Sequence, residues 1–388
     1  MNDKRILWLC NGGMICVAYG ASIIPVYLTT FAETFGGLDE SELGRVSATL
    51  FAGALVGIVV SGPLADRFGA RLFTVGGAVL CCAGLIVLAA AKDYSSLLVA
   101  SGLMGFAAGV LDMILSPIVS ALRINDRARA LNRLHAYYCF GGVCTIAIAS
   151  AALRFEIGWQ PVCLLLTVLP AALAIGFLIT PTPSLVHPEQ ERQRLRELVR
   201  SPRFCAGLIA IALVGATEEG MGQWLPAFAE RELGYTKATS AVALAFFAIG
   251  MGIGRLGGER FIERIGNHRL VIGAAAFCGV MFVTGAASPV DIVALSACSL
   301  VGLGCSVLWP TNLGIAADRM PHGGATLFAA MAAAGNAGCV VAPWAEGVIA
   351  EHASIRTALL VGASFPLMLA AITLLLKRSD DGFSDNAH

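Results

Sequence analysis

The chain has 388 residues, of which 57% are hydrophobic and only 13% are charged, and its formal net charge is zero. A water-soluble domain carries roughly a quarter charged residues, so this composition excludes an ordinary soluble fold and is typical of a protein that lies in the lipid bilayer. The balanced charge gives no reason to expect a nucleic-acid partner.

Twelve mainly apolar segments follow one another along the chain, each long enough to provide the roughly 20 residues that a helix needs to cross a bilayer. The predicted spans lie near residues 6–31, 43–64, 71–91, 95–122, 130–153, 157–180, 204–229, 238–258, 269–288, 290–317, 324–350 and 355–376. The predicted fold class is therefore an all-α membrane protein with twelve transmembrane helices. The first apolar segment is too long for a cleavable signal peptide.

The longest polar interval between two spans lies at the middle of the chain, from Pro181 to Arg203. Within it, residues 189–200 have the pattern of a short amphipathic helix on the membrane surface. We therefore predict three parts. They are an N-terminal six-helix bundle at 1–181, a cytoplasmic linker with the short helix at 182–203, and a C-terminal six-helix bundle with a short cytoplasmic tail at 204–388.

The basic residues predict the orientation of the chain in the membrane. If both termini and the loops after even-numbered spans share one side, that side holds 20 of the 26 Lys and Arg residues. Loops rich in Lys and Arg stay in the cytoplasm. We therefore expect a multi-pass protein of the cell inner membrane with both termini cytoplasmic.

The two halves of the chain align with one constant shift of 197 residues. The shift places Trp224–Gly234 on Tyr27–Gly37, and it also pairs Gly53 with Gly250, Gly57 with Gly254, Arg67 with Arg264, Gly69 with Gly266, Gly105 with Gly302, and Gly141 with Gly338. One offset that holds across four helix pairs indicates an internal repeat and hence two pseudo-symmetric six-helix bundles. Parallel repeats of this kind are a transporter architecture, with the solute site between the halves.

A loop between the second and third predicted spans combines glycines, an acid and basic residues at fixed spacing: Gly62, Asp66, Arg67, Gly69 and Arg71. It resembles the signature loop of the major facilitator superfamily, with every position of the motif present, and the resemblance covers essentially the whole chain. An acid at a helix end and nearby arginines can hold charged groups of a neighbouring helix, so we expect this loop to gate a rocking motion between two states. The equivalent loop of the second half keeps Glu263, Arg264 and Gly266 but lacks the first glycine.

Three acids lie at membrane depth, where ionisable side chains are costly and usually face a cavity. They are Asp112 in the fourth predicted span and Glu218 and Glu219 in the seventh. A carboxylic acid in such surroundings can take up a proton near neutral pH, because its charged form is poorly solvated. We therefore predict these three acids as proton-coupling candidates. Structural roles stay open as well, since Arg255 could pair with one glutamate and Asp112 could pair with a basic loop residue or cap a helix.

Amide, imidazole and aromatic side chains in the same spans form the predicted substrate site. They can hold a polar ring by hydrogen bonds to its hydroxyls and by stacking on its apolar faces. The candidates are His135, Tyr138, Gln223, Trp224, Trp309, Asn312 and Asn336. Helix geometry puts Glu219 and Gln223 on one face and turns Glu218 about 100° away, so we expect only one glutamate to face the cavity directly. Trp309 and Trp344 could equally be packing or interface aromatics, and the histidine could be interfacial.

Within the superfamily, several segments resemble the fucose:proton symporter family. They are Leu131–Gly142, Glu218–Trp224, Leu308–Asp318 and Gly335–Gly347, and Asn132, His135, Glu218 and Trp224 match positions typical of that family. The resemblance implies proton-driven sugar uptake, with Glu218 as an acid in the cavity. The first span departs from the family pattern, because it carries no acid at membrane depth and offers only Asn11 as a strongly polar side chain.

The sequence therefore predicts a secondary active transporter that works by alternating access and takes up a sugar or similar small polar metabolite with protons. Proton-driven efflux of drugs or amphipathic metabolites is the alternative. An enzyme or membrane-bound sensor is disfavoured, because the chain carries no nucleotide-binding loop, metal-ligand cluster or soluble catalytic domain. The expected partners are a small-molecule substrate, protons and the bilayer, and we expect no cofactor or metal. A monomer is expected because the two halves already form the site.

Overall fold

A computed structural model describes residues 2–123, 127–182, 195–320 and 324–385 of the chain. Within these ranges the chain forms fifteen α-helices and no β-strand. In chain order they are α1 Asn2–Thr34, α2 Glu40–Phe68, α3 Ala70–Ala89, α4 Tyr94–Leu122, α5 Arg127–Arg154, α6 Trp159–Leu166, α7 Val168–Ile179, α8 Leu195–Leu198, α9 Pro202–Arg231, α10 Lys237–Ile265, α11 Asn267–Ala287, α12 Asp291–Arg319, α13 Gly324–His352, α14 Ile355–Gly362 and α15 Ser364–Asp385.

Twelve stretches of the described helices are long and apolar enough to cross a membrane, and they confirm the twelve predicted spans. The sixth span consists of α6 and α7, and the twelfth consists of α14 and α15. Both spans are interrupted for the same reason. Pro170 and Pro366 lack the N–H that would bond to the carbonyl four residues earlier. Those carbonyls belong to Leu166 and Gly362, which are the last residues of α6 and α14.

The two halves pack their helices in the same way at equivalent positions. A Cβ added to Gly105 would overlap the carbonyl oxygen of Leu50, and a Cβ added to Gly302 would overlap the carbonyl oxygen of Phe247. Both the glycines and the carbonyls are related by the shift of 197 residues. Because only glycine allows two helix backbones to approach so closely, α2–α4 and α10–α12 are equivalent helix contacts. The predicted pseudo-symmetric repeat is thereby confirmed in the packing of the fold.

Two equivalent glycines also make the turns of the predicted gating loops. Gly69 separates α2 from α3 with a φ of +84°, and Gly266 separates α10 from α11 with a φ of +78°. Residues with a side chain rarely adopt such angles, so glycine lets the chain reverse within one residue. The backbone N–H of Gly69 also donates to the carbonyl of Ala65 over 2.9 Å, which closes the end of α2.

Because the spans are even in number, the described chain begins and ends at one face, which we name the terminal face. It contains the turns at Gly69 and Gly266, and the other face is the opposite face. Helices of the two halves pack together as α2 with α13, α5 with α10 and α1 with α9. Near the opposite face, Lys237 pairs with Glu33, and Arg231 pairs with Glu40. The two halves are therefore closed against each other at the opposite face.

The middle of the chain is described only in part. The short helix α8 packs against α13, and its Leu198 is buried. Residues 189–194 of the predicted amphipathic helix lie outside the described residues, so the full length of that helix stays a prediction. The division at 181 and 203 into two bundles and a linker stays a prediction as well.

Candidate functional site

A cavity lies between the two halves, near the middle of the spans. Helices α1 and α5 line it from the first half, and α9 and α10 line it from the second. It encloses about 440 Å³ of empty space, a volume that includes the open solvent at its mouth. Its polar lining includes Ser22, Tyr138, Glu218 and Glu219, whereas its apolar lining includes Leu244, Phe247 and Met251.

Helix α9 brings the acids into this cavity. Nearly every residue from Ala210 to Ala229 is buried, as expected for a helix that is surrounded by other helices. The same stretch nevertheless contains Glu218, Glu219 and Gln223. A buried carboxylate is stable only if it is hydrogen-bonded, paired or protonated, so the partners of these three side chains decide what the site can do.

Glu219 is connected to the other half of the molecule through Gln223. The Nε2 of Gln223 donates to Oε2 of Glu219 over 3.0 Å and to the carbonyl of Ala21 on α1 over 3.2 Å. The Oε1 of Gln223 accepts a hydrogen bond of 3.0 Å from Oγ of Ser47 on α2. The spacing of four residues on α9 therefore does place Glu219 and Gln223 together, and the amide joins the acid to both α1 and α2.

Glu218 faces a cation of its own half. The Nη2 of Arg255 on α10 lies 3.7 Å from Oε1 of Glu218, which is a loose ion pair. Among the described residues, the second oxygen of Glu218 and the Nε of Arg255 have no hydrogen-bond partner. Both glutamates line the cavity, whereas we expected only one to do so. The cavity reaches from α1 and α5 round to α10, so side chains about 100° apart on α9 both border it.

Of the two predicted site residues on α5, only one lines the cavity. Tyr138 lines the cavity together with its neighbour Cys139. His135 lies about one turn earlier on the same helix, is half-buried, and is not among the lining residues.

Asp112 lies on α4, which does not border the cavity, and it is half-buried. Within the described part of the chain, no hydrogen bond or ion pair to Asp112 is found.

The two predicted tryptophans pack between helices of the second half instead of lining the cavity. Trp224 is buried, and its Nε1 donates to the carbonyl of Pro343 over 3.0 Å, which joins α9 to α13. The ring of Trp309 on α12 occupies the space in which Gly335 of α13 would carry a side chain. For Trp309, this placement favours the packing role that the sequence left open.

The two predicted asparagines bond to their own helices. The Nδ2 of Asn312 donates to the carbonyl of Leu308 over 2.8 Å, and the Nδ2 of Asn336 donates to the carbonyl of Ala332 over 3.0 Å. Asn312 borders a separate, smaller pocket near the terminal face. The structure therefore brings together Tyr138, Gln223 and both glutamates, while the two asparagines lie outside this group.

The gating-loop residues lie at the terminal face. The side chains of Arg67, Arg71 and Arg264 are exposed, and the guanidinium of Arg67 lies 5.2 Å from the ring of Phe68. A Cβ added to Gly62 would lie 3.2 Å from Cε of Met113, so α2 is close to α4 there. The side chains of Asp66 and Glu263 lie outside the described part of the structure, so the gating role of this loop stays a prediction.

The structure also places polar residues at the site that the sequence did not single out. Ser47 bonds Gln223, and Ser22 lines the cavity. Serine is common in membrane helices, so no signal in the sequence distinguishes these two. Glu346 on α13 is different, because it is a further buried acid of the second half that does not line the cavity. Its position between apolar residues is the same signal that pointed to the other three acids.

Comparisons with known proteins agree with this architecture. The sequence model of the Major Facilitator Superfamily matches residues 11–343. An uncharacterized MFS-type transporter of Yersinia pestis is 24% identical over 348 residues, which are 89% of either chain. A solved variant of the nucleoside transporter NupG has a TM-score of 0.80 at 15% identity and covers 97% of this chain and 99% of its own. The fucose:proton symporter FucP of E. coli has a TM-score of 0.68 at 16% identity, with the same coverage. At these identities the two structures show a shared fold.

Proposed function

The chain belongs to the Major Facilitator Superfamily, a family of membrane transporters, and from this premise we propose that it moves a small hydroxylated solute together with protons. The observation that carries the proposal is the position of Glu219. This acid lines a cavity between the two halves, and its partner Gln223 bonds to both α1 and α2 of the other half. An acid in this position can link its protonation to the relative movement of the halves.

Glu219 is the proposed carrier of the coupling proton. As a carboxylate it accepts the hydrogen bond from Gln223, whereas as an acid it can donate to a solute or to another acceptor. A change of protonation therefore changes the bonding of an amide that bridges the halves. Glu218 keeps the role of a pairing partner for Arg255. Asp112 remains a third candidate, although it lies on a helix that does not border the cavity.

The lining supports a solute with hydroxyl groups on one side and an apolar ring face on the other. The carboxylates and the phenol of Tyr138 can bond hydroxyls, while Phe247 and Met251 offer apolar surface. The two solved transporters with this fold are named for a nucleoside and for fucose, and both kinds of solute carry a hydroxylated ring. We therefore propose a sugar or a nucleoside-like metabolite as the substrate class.

Alternating access is the proposed mechanism. The structure is closed at the opposite face, so the cavity would next exchange its contents through the terminal face. The excess of basic residues supports a cytoplasmic terminal face, in the inner membrane, with both termini inside. The loops at Gly69 and Gly266 would hold that face closed in the other state. One chain contributes both halves of the cavity, which supports a working monomer.

Uptake into proteoliposomes tests the proposal. The purified chain is reconstituted, an inward proton gradient is imposed, and the accumulation of labelled sugars and nucleosides is measured. We expect the unchanged chain to accumulate its solute against a gradient. Glu219→Gln should lose this accumulation while it still exchanges solute across the membrane at equilibrium. Asp291→Asn, at the exposed start of α12, is the matched control and should behave as the unchanged chain. Undiminished accumulation by Glu219→Gln would refute the coupling role.

The apolar part of the lining keeps export as a second candidate. Leu244, Phe247 and Met251 together could accommodate an amphipathic solute as well as a sugar ring. The same vesicles distinguish uptake from export, because in a proton-driven exporter the solute and the proton cross the membrane in opposite directions. Depletion of a preloaded amphipathic compound under the inward gradient, with no sugar or nucleoside accumulated, would favour export.

A further inference from the structure

Glu346 lies in a slot inside the second half, away from the cavity. The residue is 1% exposed, and neither of its carboxylate oxygens has a hydrogen-bond partner among the described residues. Its Oε1 lies 2.7 Å from the position that a Cβ of Gly220 on α9 would take. The same oxygen fills the space in which Gly362 of α14 would carry a side chain, and the ring of Phe282 is close to that position. The two glycines therefore make the room that the carboxyl group occupies.

Among the side chains that the structure describes, the helices around this slot bring no counter-charge to Glu346. The nearest titratable groups on them have other partners or are exposed. On α9, Glu218 pairs with Arg255 and Glu219 bonds Gln223. Cys278 on α11 bonds a carbonyl, Arg356 on α14 bonds two carbonyls, Glu40 on α2 pairs with Arg231, and Glu351 and His352 of α13 itself are exposed. An ionised carboxylate in such surroundings would be neither solvated nor paired, which strongly disfavours the charged form. The neutral acid is the form that suits this slot.

The same turn of α13 closes the opposite face. Glu346 points into the second half, while its neighbour Gly347 packs against Gly44 of α2 in the first half. The carbonyl of Pro343, one turn earlier, also meets Gly44 and accepts the hydrogen bond from Trp224. A displacement of this turn away from α9 and α14 would therefore also displace it from α2.

We propose that Glu346 is a second proton-binding site, which holds the opposite face closed while it is protonated and releases it on losing its proton. The loss of the proton leaves a charge that must reach water or a cation, so the turn from Pro343 to Gly347 has to move. This inference rests on the proposed proton coupling, but it concerns a group in the second half that neither lines the cavity nor touches Glu219.

Infrared difference spectroscopy tests whether Glu346 binds a proton. A protonated carboxylic acid has a carbonyl band that is separate from the bands of a carboxylate. The spectrum of the reconstituted full chain is compared with that of Glu346→Gln over a series of pH values. We expect one acid band that is present at low pH, absent from the variant and lost as the pH rises. Glu346→Asp should move this band without removing it. Spectra that are identical in both chains, or a band that persists at every pH, would overturn the proposal.

Hydrogen–deuterium exchange tests whether that proton controls the opposite face. We expect the amides of residues 35–44 and 347–354 to exchange faster as the pH rises, after correction for the chemical exchange rate. Glu346→Gln should stay protected throughout, and Glu351→Gln, on the exposed side of the same helix, should respond as the unchanged chain does. An unchanged pH response in Glu346→Gln would overturn the gating role. Neither measurement uses solute or a proton gradient. Each can therefore fail while the uptake test succeeds, and the uptake test can fail while both give the expected result.

Discussion

Gly44 and Gly347 meet backbone to backbone where the two halves close. A Cβ added to Gly347 would lie 3.0 Å from Cα of Gly44, and a Cβ added to Gly44 would lie 2.7 Å from the carbonyl oxygen of Pro343. The shift of 197 residues relates these two positions to Ala241 and Ser150, which belong to the second contact between the halves, α10 with α5. There the Oγ of Ser150 donates to the carbonyl of Ala238 over 2.9 Å. The opposite face is thus closed by two equivalent seams.

Gly44→Ala should open the opposite face. The added methyl group meets the backbone of α13, which cannot move aside as a flexible side chain could. Overpacking of this kind costs roughly 1–3 kcal/mol, which corresponds to a shift of roughly 5- to 150-fold in favour of the open state. Faster hydrogen exchange in residues 35–44 and 347–354, together with slower solute uptake, is the expected result.

Gly76→Ala is the matched control for this change, because nothing lies within 4 Å of the position that its Cβ would take. Alanine is also the better helix former, so the control should be neutral or slightly stabilising. Equal exchange rates in both variants would show that the Gly44 contact does not limit opening.

Gly105→Ala and Gly302→Ala should both destabilise the fold, each within its own half. In either case the new methyl group overlaps a carbonyl oxygen of the neighbouring helix, at Leu50 and at Phe247 respectively. A loss of at least 1–3 kcal/mol in unfolding free energy is expected, measured as a lower midpoint of thermal unfolding in detergent. Gly314→Ala, with open space around its Cβ position, should leave the midpoint unchanged. If the two glycines were equivalent only in the sequence and not in their helix contacts, the two variants would not lose stability to a similar extent.

The spans and the repeat could be predicted because their causes are local or periodic. A bilayer requires long apolar helices, and a duplicated fold keeps its close helix contacts at the same offset. Gly105 and Gly302 show both effects, since they pair in the sequence and in their contacts. The breaks at Thr167 and Ala363 also have a local cause, in the prolines that follow them, although the apolar pattern predicts continuous spans there.

The arrangement of site residues could be predicted only where the residues lie on one helix, so that their spacing along it sets their positions. The pair Glu219 and Gln223 follows from the spacing on α9, whereas their link to Ser47 depends on how α9 meets α2. Trp224 and Trp309 have the residue types of a sugar site, but their directions are set by neighbours on α13. Residue type at membrane depth therefore predicts which side chains are unusual, and helix packing decides which of them reach the cavity.

Arg255→Leu should destabilise the chain by leaving Glu218 without its cation. The pair is loose, at 3.7 Å, but both side chains are largely buried. Removal of one partner from a buried pair typically costs roughly 3–5 kcal/mol, because the other charge stays behind. The double variant Glu218→Gln with Arg255→Leu should recover most of that loss, as measured by thermal unfolding. No recovery in the double variant would mean that Arg255 acts through a different group.

Charge reversal at the pair of Lys237 and Glu33 should open the opposite face with little effect on folding. The Nζ of Lys237 lies 2.5 Å from Oε2 of Glu33, but the Glu33 side chain is 64% exposed, so the pair is worth at most about 1 kcal/mol. Lys237→Gln should therefore change uptake only slightly. Lys237→Glu should change it more, because two acids then face each other across the seam between the halves.

The exchanged pair, Lys237→Glu with Glu33→Lys, separates a real contact from a general effect of charge. It restores the attraction in the reverse direction, so uptake and the hydrogen exchange of residues 35–44 should return toward the values of the unchanged chain. High salt should lessen the effect of Lys237→Glu, because exposed charges are screened within about 10 Å at 0.1 M. If the exchanged pair is as impaired as Lys237→Glu alone, the two side chains do not contribute to closure, and the seams at Gly44 and Ser150 close the opposite face without them.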